Sequence, residues 1–492
     1  MYYQSTRSSH SVSSLEAVIR GIAPDGGLYV DPGIASRTFD WRRCLALDEL
    51  GMAEALLSHL LPDFEDMGAL VQSAYRGKFE NERISPLVRV GDAWVLELFH
   101  GPTSAFKDVA LSMLPRLINK AREQLGIKER ILILTATSGD TGKAALEGFS
   151  DVPGTGIAVY YPDGGVSPVQ RAQMVTQRGG NVHVTAVRGN FDDCQRGVKE
   201  AFCEVDAAEY GMRLSSANSI NIGRLAPQLI YYFSAYAQLA AEGGAAVDDA
   251  VDFIVPTGNF GDILAGLYAK LLGLPVGRLV CASNVNNVLC DFIRTGRYDA
   301  RRRFVRTSSP SMDILVSSNL ERLLYLASGG NTDAVSGWMS ALAADGVYAV
   351  DDAAHTRIRE WFSAGSADEG ATRRTIARVW AECAYLCDPH TAVAMSVLDD
   401  YRHSADYSGA PCVVLSTASP FKFPAVVLDS VAGGARGDEF SQMQELSELT
   451  GLPIPARLSS LRSLPELHRA VIDRGDLIPA VRDILFEEAH RA

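Results

Sequence analysis

Short β-branched runs that end in glycine-rich turns constrain the fold of this chain most. One run, residues 130–135, is followed directly by a turn at 138–142 and then by a helical pattern over 143–149. A second run, 251–255, leads into a turn at 258–262 and a further helical pattern. Strands that alternate with helices in this way are typical of a parallel sheet covered on both faces, so we predict an α/β fold. Further strands of this kind are predicted at 156–161, 181–187, 279–282 and 412–415.

Changes in pattern along the chain predict four regions. Residues 1–85, with a largely helical stretch, form a small N-terminal module. Residues 86–242 and 243–432 form two α/β regions separated by a glycine-containing linker. Residues 433–492 form a polar, helical C-terminal extension with a proline-broken turn.

Charge and hydropathy exclude several classes of protein. The chain has 492 residues and a net charge of −13, with no long basic run, so we expect no nucleic-acid partner. No stretch approaches the ~18 apolar residues of a membrane span, and the first ten residues do not resemble a signal peptide. Eight cysteines without a CxxC pair indicate neither a disulfide framework nor a zinc site. These features predict a cytoplasmic protein.

The two glycine turns at 138–142 and 258–262 are candidate anion sites, because each points backbone N–H groups and a helix N-terminus at one place. Neither is a nucleotide motif. Gly142-Lys143 matches the end of a P-loop, but Thr137 stands in place of its first glycine. The alternative is that such glycines only permit tight turns. This accounts well for Gly164-Gly165 but less well for 258–262, which follows a strand and opens a helix.

Lys107 lies between Phe106 and the apolar start of a predicted helix, where an ammonium group is poorly solvated. A desolvated lysine has a lowered pKa and is a useful amine nucleophile. The alternative is an ordinary lysine at a helix start, paired with Asp108. A reactive lysine together with a phosphate-binding loop would supply the two anchors of pyridoxal phosphate, one for its aldehyde and one for its phosphate.

Residues 97–108 resemble the cofactor-lysine segment of the threonine synthase family, in the tryptophan-synthase-β-like group of pyridoxal-phosphate enzymes. The resemblance covers most of the chain. It implies two doubly wound parallel-sheet subdomains beside the N-terminal module. The other matching blocks are 5–7, 23–30, 137–142, 218–221, 256–262 and 416–424.

The resemblance also implies roles for individual residues. Lys107 would bond to the cofactor and act as acid and base at Cα, and Thr417 would contact the pyridine nitrogen. Asp140 would lie beside the ring oxygen. The cofactor phosphate would be held by Gly258, Asn259, Phe260, Gly261 and Asp262. The substrate carboxylate would bind at Ser138 and Thr141, and the substrate phosphate at Asn218, Ser219 and Arg224.

The implied reaction converts O-phospho-L-homoserine and water to L-threonine and phosphate, with pyridoxal 5'-phosphate as cofactor. Alternatives are a dehydratase or cysteine synthase of the same group, a phospho-lyase that releases a 2-oxo acid, and a non-catalytic binding protein. The last would be expected to lose Lys107 or Thr417, and both are present. A monomer or homodimer is expected.

Overall fold

The computed structural model describes residues 2–137 and 139–491 and contains four sheets. The strands are β1 Tyr3–Ser5, β2 Ser11–Val12, β3 Tyr29–Val30, β4 Leu87–Val90, β5 Ala93–Glu97, β6 Arg130–Ala136, β7 Thr155–Pro162, β8 Val182–Arg188, β9 Met212–Ser215, β10 Val251–Pro256, β11 Val276–Ser283, β12 Arg297–Asp299, β13 Val347–Ala349, β14 Phe362–Ser366, β15 Cys412–Ser416 and β16 Ala470–Asp473.

Helices surround these sheets. They are α1 Ser14–Arg20, α2 Trp41–Leu45, α3 Glu49–Leu60, α4 Met67–Tyr75, α5 Lys107–Gln124, α6 Asp140–Phe149, α7 Pro168–Val175, α8 Phe191–Glu204, α9 Ile222–Leu225, α10 Leu229–Ala241, α11 Gly261–Leu271, α12 Val288–Thr295, α13 Leu320–Ala327, α14 Thr332–Asp345, α15 Asp352–Trp361, α16 Glu369–Cys383, α17 Pro389–Arg402, α18 Pro424–Ala432, α19 Glu439–Thr450, α20 Ala456–Ser459 and α21 Leu477–Ala489.

The two large sheets are built mainly from parallel strands. One has the order β14-β11-β10-β15-β5-β4, in which only the edge strand β4 runs antiparallel to its neighbour. The other has the order β16-β8-β7-β6-β9 and is parallel throughout. The predicted α/β fold with two parallel sheets is therefore confirmed.

Alternate residues of the central strands pack into different cores, as expected for sheets covered on both faces. On β6, Ile131 and Ile133 belong to the largest core cluster, whereas Leu132 and Leu134 pack with residues of α8 and α21. On β10, Ile254 lies in a separate cluster with residues of α17. This double coverage explains why these strands are mostly apolar.

The N-terminal module contains a small antiparallel sheet, β2-β1-β3, besides its helices. It is fixed to α13 by two charged side chains. Arg7 pairs with Glu321 at 2.8 Å, and the buried guanidinium of Arg322 donates through Nε to the carbonyl of Tyr29 at 2.8 Å. A second guanidinium nitrogen of Arg322 donates to Asn319, which lies beside the 258–262 turn. The N-terminal module is thus linked through Arg322 and Asn319 to the 258–262 turn.

Two strands pair across the predicted region boundaries. β5 belongs by sequence to region 86–242 but lies in the sheet built from region 243–432. β16 lies in the predicted helical extension, yet it pairs in parallel with β8 of the other sheet. The four-region division stays a prediction, and these pairings tie its regions together.

Within residues 2–137 and 139–491, no helix is both long enough and apolar enough to cross a membrane.

Candidate active site

The candidate site lies where four segments leave the carboxyl ends of parallel strands β5, β6, β10 and β15, the usual position of ligand sites in such sheets. The segments after β5 and β15 are joined by backbone hydrogen bonds. Phe106 N–H donates to the Thr417 carbonyl at 2.9 Å, and Ser419 N–H donates to the Ser104 carbonyl at 3.1 Å. These contacts fix the lysine segment against the segment that carries Thr417.

Lys107 is the first residue of α5 and is only 8% exposed. Its Nζ donates to Ser311 Oγ at 3.1 Å and lies 4.0 Å from Asp140 Oδ2. Burial lowers the pKa of Lys107 to about 8, although the Asp140 carboxylate opposes this effect. Asp108, the alternative partner considered from the sequence, instead accepts hydrogen bonds from the backbone and hydroxyl of Thr103. The structure therefore provides the desolvated amine that the sequence predicts.

Asp140 is the first residue of α6 and is buried between two ammonium groups. Lys422 Nζ lies 2.7 Å from its Oδ1, and Gln170 Nε2 donates to the same oxygen at 3.0 Å. Burial alone would raise the pKa of Asp140, but the charges of Lys422 and Lys107 hold it well below its usual range. The carboxylate is therefore ionised and faces Lys107 with its second oxygen.

The 258–262 turn is shaped by close contacts on one side. A Cβ on Gly258 would lie 2.3 Å from the Ser311 carbonyl oxygen, so glycine is required there. Phe260 has a left-handed backbone with φ of 64° and leads into the N-terminus of α11. Ser317 Oγ donates to the Gly258 carbonyl at 2.9 Å, and Asn319 N–H donates to the Asn259 carbonyl at 3.1 Å. The 317–319 segment thus binds the carbonyl groups of the turn. The backbone N–H groups at the N-terminus of α11 are suited to binding an anion.

Asp262 adds a buried carboxyl group to the first turn of α11. Burial raises the pKa of Asp262 to about 6. Its Oδ1 accepts the N–H of Ile263 at 2.9 Å. This group thus adds less negative charge to the site than an exposed aspartate would.

Arg224 lies on α9 and is 3% exposed. Its Nη1 donates to the Ala217 carbonyl at 2.5 Å, and its Nε is buried with no hydrogen-bond partner in the described part of the chain. Burial lowers the pKa of Arg224 to about 10, so the guanidinium still carries its charge near neutral pH. A buried cation with an unused donor is suited to an anionic ligand.

The other predicted substrate residues surround this position. Asn218 is exposed and Ser219 half-buried on the segment before α9. Ser219 Oγ lies 3.5 Å from Ser318 Oγ, which in turn donates to Asn259 Oδ1 at 3.3 Å. Residues 218–219 are therefore linked through Ser318 to the 258–262 turn, the candidate site for the cofactor phosphate.

The turn after β6 is organised by a threonine hydroxyl. Thr137 Oγ1 accepts the N–H groups of Gly139 at 3.0 Å and Gly142 at 2.9 Å. Thr141 is half-buried beside them, whereas Ser138 lies outside the described residues. Thr417 is buried next to the lysine segment. The N–H groups of Gly139 and Gly142 are thus used within the turn, and the roles predicted for Ser138 and Thr141 stay predictions.

Sequence reasoning missed Ser311 and Lys422 as members of the site. Both lie in blocks that stand out in the sequence, but their partners are far away: Ser311 contacts a lysine 204 residues distant, and Lys422 donates to the Thr103 carbonyl across 319 residues. A charged residue in the otherwise apolar block 420–424 was the one available signal for Lys422.

His390 supports the site indirectly. The backbone N–H of Ser311 donates to His390 Nε2 at 3.1 Å, so Nδ1 carries the proton and donates to Asp388 Oδ1 at 2.6 Å. The pair holds the 310–313 segment against Lys107 and Gly258.

The residues present fit pyridoxal 5'-phosphate. The buried amine of Lys107 contacts Ser311, which also packs against Gly258, so an attachment point for an aldehyde lies near the N–H groups of the 258–262 turn and α11.

Comparisons with known proteins agree with this geometry. The family model described as pyridoxal-phosphate dependent enzyme matches residues 79–418, and the model described as threonine synthase, C-terminal, matches residues 391–472. A solved structure of pyridoxal-phosphate-bound threonine synthase from Brucella melitensis superposes with a TM-score of 0.87 at 38% identity, covering 100% of both chains.

Two curated relatives show the extent of the similarity. Threonine synthase from Pseudomonas aeruginosa is 41% identical over 443 residues, covering 88% of this chain and 91% of that protein. Threonine synthase-like 1 from Homo sapiens is 35% identical over 479 residues, covering 93% of this chain, which spans 62% of that relative's length. The chain belongs to the threonine synthase family of pyridoxal-phosphate dependent enzymes.

Proposed function

We propose that the protein converts O-phospho-L-homoserine and water to L-threonine and phosphate. The observation that carries this proposal is a desolvated lysine placed between a glycine phosphate loop and a buried arginine with an unused donor. One anion site suits the cofactor phosphate and the other the phosphate of the substrate. Similarity to the Pseudomonas threonine synthase supports the same reaction.

The cofactor would be held by residues from three strand ends. Lys107 would bond to its aldehyde, and the N–H groups of 258–262 would bind its phosphate. Thr417 would donate to or accept from the ring nitrogen, and Asp140 would face the ring oxygen. When bound, the cofactor supplies an electron sink for carbanion chemistry at the substrate.

Lys107 would transfer protons at the substrate. With a pKa of about 8, a useful fraction of its amine is neutral near pH 7 to 8, so Nζ can take the proton from Cα and return it later. Ser311 Oγ and Asp140 Oδ2 keep the amine in place between these steps. A second proton leaves Cβ as phosphate leaves Cγ. Cγ then takes up a proton and becomes the methyl group, and water adds its hydroxyl at Cβ.

The substrate would be held by its two anionic ends. Arg224, Asn218 and Ser219 would bind the phosphate, the arginine through its guanidinium fork. Ser138 and Thr141 would bind the α-carboxylate.

Product analysis tests the proposal and separates it from the phospho-lyase alternative. The holoenzyme is incubated with O-phospho-L-homoserine, and threonine, phosphate, ammonia and 2-oxobutanoate are measured. We expect threonine and phosphate in equal amounts. Equal amounts of 2-oxobutanoate, ammonia and phosphate would instead identify a phospho-lyase, and no phosphate release would contradict both.

We also propose a cytoplasmic location and a monomer or homodimer. All eight cysteines are free thiols, which suits a reducing compartment.

A further inference from the structure

Two buried lysines share one carboxylate in the candidate site. Lys422 Nζ lies 2.7 Å from Asp140 Oδ1, and Lys107 Nζ lies 4.0 Å from Asp140 Oδ2. All three residues are at most 8% exposed. Two positive charges therefore face a single negative charge with little water to screen them.

Lys422 is held rigidly in this position. It ends a turn at Pro420–Lys422, and its Nζ also donates to the Thr103 carbonyl at 3.0 Å. The turn follows Ser419, whose backbone is bonded to the lysine segment at Ser104. Lys422 therefore cannot move away from Asp140 without breaking the contacts between the 417–423 and 103–107 segments.

We propose that Lys422 is a positioning residue that sets the protonation state of Lys107 through their shared carboxylate, Asp140. This proposal rests on the proposed function in one respect only, namely that Lys107 is the reactive amine. Lys422 is bound to one oxygen of Asp140 and offsets much of its charge, so the carboxylate stabilises a protonated Lys107 only partly. The amine then loses its proton at a lower pH than an ion pair alone would allow.

The other charges that face Lys107 fit this account. Arg224 disfavours a proton on Lys107, and Asp262 favours one. Burial raises the pKa of Asp262 to about 6, and Ile263 N–H occupies one of its oxygens. Asp140 lies 4.0 Å from Lys107 and affects its pKa more strongly than Asp262 does, so Asp140 is the carboxylate through which Lys107 is tuned, and Lys422 is the cation bound directly to it.

A purely structural role for Lys422 is the competing explanation. Its ammonium joins the Thr103 carbonyl to Asp140 and could serve only to hold two segments together. Removing its charge while keeping a hydrogen-bond donor separates the two roles. Lys422→Gln retains a donor for Thr103 and loses the charge.

The test measures the pKa of Lys107 in the full-length protein, freed of any bound cofactor. Lys107 is acetylated with acetic anhydride at a series of pH values, and the modified peptide is quantified by mass spectrometry. We expect Lys422→Gln to raise the pKa of Lys107 by about one pH unit, because Asp140 is no longer offset. Asp140→Asn should lower it by about one pH unit, and the double variant should lie between the two.

Controls distinguish this effect from damage to the fold. Lys422→Arg keeps the charge and should restore a pKa of Lys107 close to that of the wild type. Lys270→Met removes another partly buried lysine, also bonded to backbone carbonyls, and should leave Lys107 unchanged. Circular dichroism checks that each variant folds. If Lys422→Gln does not fold, Lys422→Met provides the same loss of charge.

An unchanged or lowered pKa of Lys107 in a folded Lys422→Gln or Lys422→Met variant would overturn the proposal. In the holoenzyme, the pH titration of cofactor absorbance should move in the same direction as the labelling result. Because labelling needs neither cofactor nor turnover, failure of the proposed reaction would leave this result intact, and the two failures are distinguishable.

Discussion

The two ends of the candidate site differ in how completely their charges are paired. At the lysine end, Asp140 lies between Lys422 and Lys107, and Lys107 also donates to Ser311. At the arginine end, the buried Nε of Arg224 has no hydrogen-bond partner among the residues the structure describes. The charged groups at the lysine end are paired within the protein, whereas the arginine end retains a buried donor without a partner among the described residues.

This difference indicates a division of labour. Groups that move protons must be held in a fixed place and at a fixed pKa before the substrate arrives. A group that binds a charged ligand gains most when its donors are unused beforehand, because a buried charge without a partner is costly. The predictions below test each end in turn.

Removing the amine at the lysine end should have the largest effect. Lys107→Ala removes the group proposed to move the Cα proton, so we expect phosphate release from O-phospho-L-homoserine to fall about a thousandfold or more. Lys270→Ala, the same change outside the site, serves as the control. Retention of a tenth of the activity in Lys107→Ala would rule out this role.

Truncation at the arginine end should weaken substrate binding. Arg224→Ala removes a charge-assisted contact of about 1.5–3 kcal/mol, so KM for O-phospho-L-homoserine should rise more than tenfold. Arg224→Lys keeps the charge but loses the planar fork, and should give a smaller rise. Steady-state kinetics measure both, and an unchanged KM would show that another cation holds the phosphate.

Burial of the Lys107 ammonium group should lower the free energy of unfolding of the cofactor-free protein. Burial lowers the pKa of Lys107 from 10.5 to about 8, so the folded state binds this proton more weakly than the unfolded state does. The loss of stability is therefore full below about pH 8 and disappears as the pH rises to the pKa of this lysine in the unfolded chain. Lys107→Met should raise the free energy of unfolding by about 3 kcal/mol near pH 7, with the gain shrinking toward pH 10.

Urea unfolding of the cofactor-free protein at several pH values measures this gain. The exposed Lys199→Met serves as the control and should show no such pH-dependent gain. A Lys107→Met variant less stable than the wild type throughout would mean that the lysine contacts outweigh the cost of burying its charge.

The smallest effect is expected at Ser311. Ser311→Ala removes the 3.1 Å hydrogen bond to Nζ, worth about 0.5–1.5 kcal/mol, so kcat should fall about threefold to tenfold with little change in KM. Ser311→Thr should recover part of the loss. Ser308→Ala, on the same segment, removes a hydroxyl bonded to Glu369 instead, and should leave kcat near wild type.

The sequence predicts the central strands well, because β6 and β10 are mostly apolar runs followed by glycine turns. It does not predict β5, whose burial is interrupted, or β16, an exposed edge strand that pairs with β8 far away in the chain. Both strands contain only short apolar runs, residues 93–96 and 470–472. Such runs do not reveal pairing partners that lie far away in the chain.

The same limit applies to the site. Lys107 and the 258–262 turn are visible in the sequence because local composition makes each of them unusual. Lys422 and Ser311 reach Lys107 only through long-range packing, so their participation emerges from the folded chain. Local patterns single out Lys107 as the candidate reactive group, and tertiary contacts single out the residues proposed to tune it.

Covalent trapping of the cofactor tests the central claim most directly, because two buried lysines compete for the role. The holoenzyme is reduced with borohydride and digested, and the pyridoxyl-bearing peptide is identified by mass spectrometry. The structure predicts a stoichiometric pyridoxyl group on Lys107 and none on Lys422. A label on Lys422, or no label on either lysine, would contradict the account.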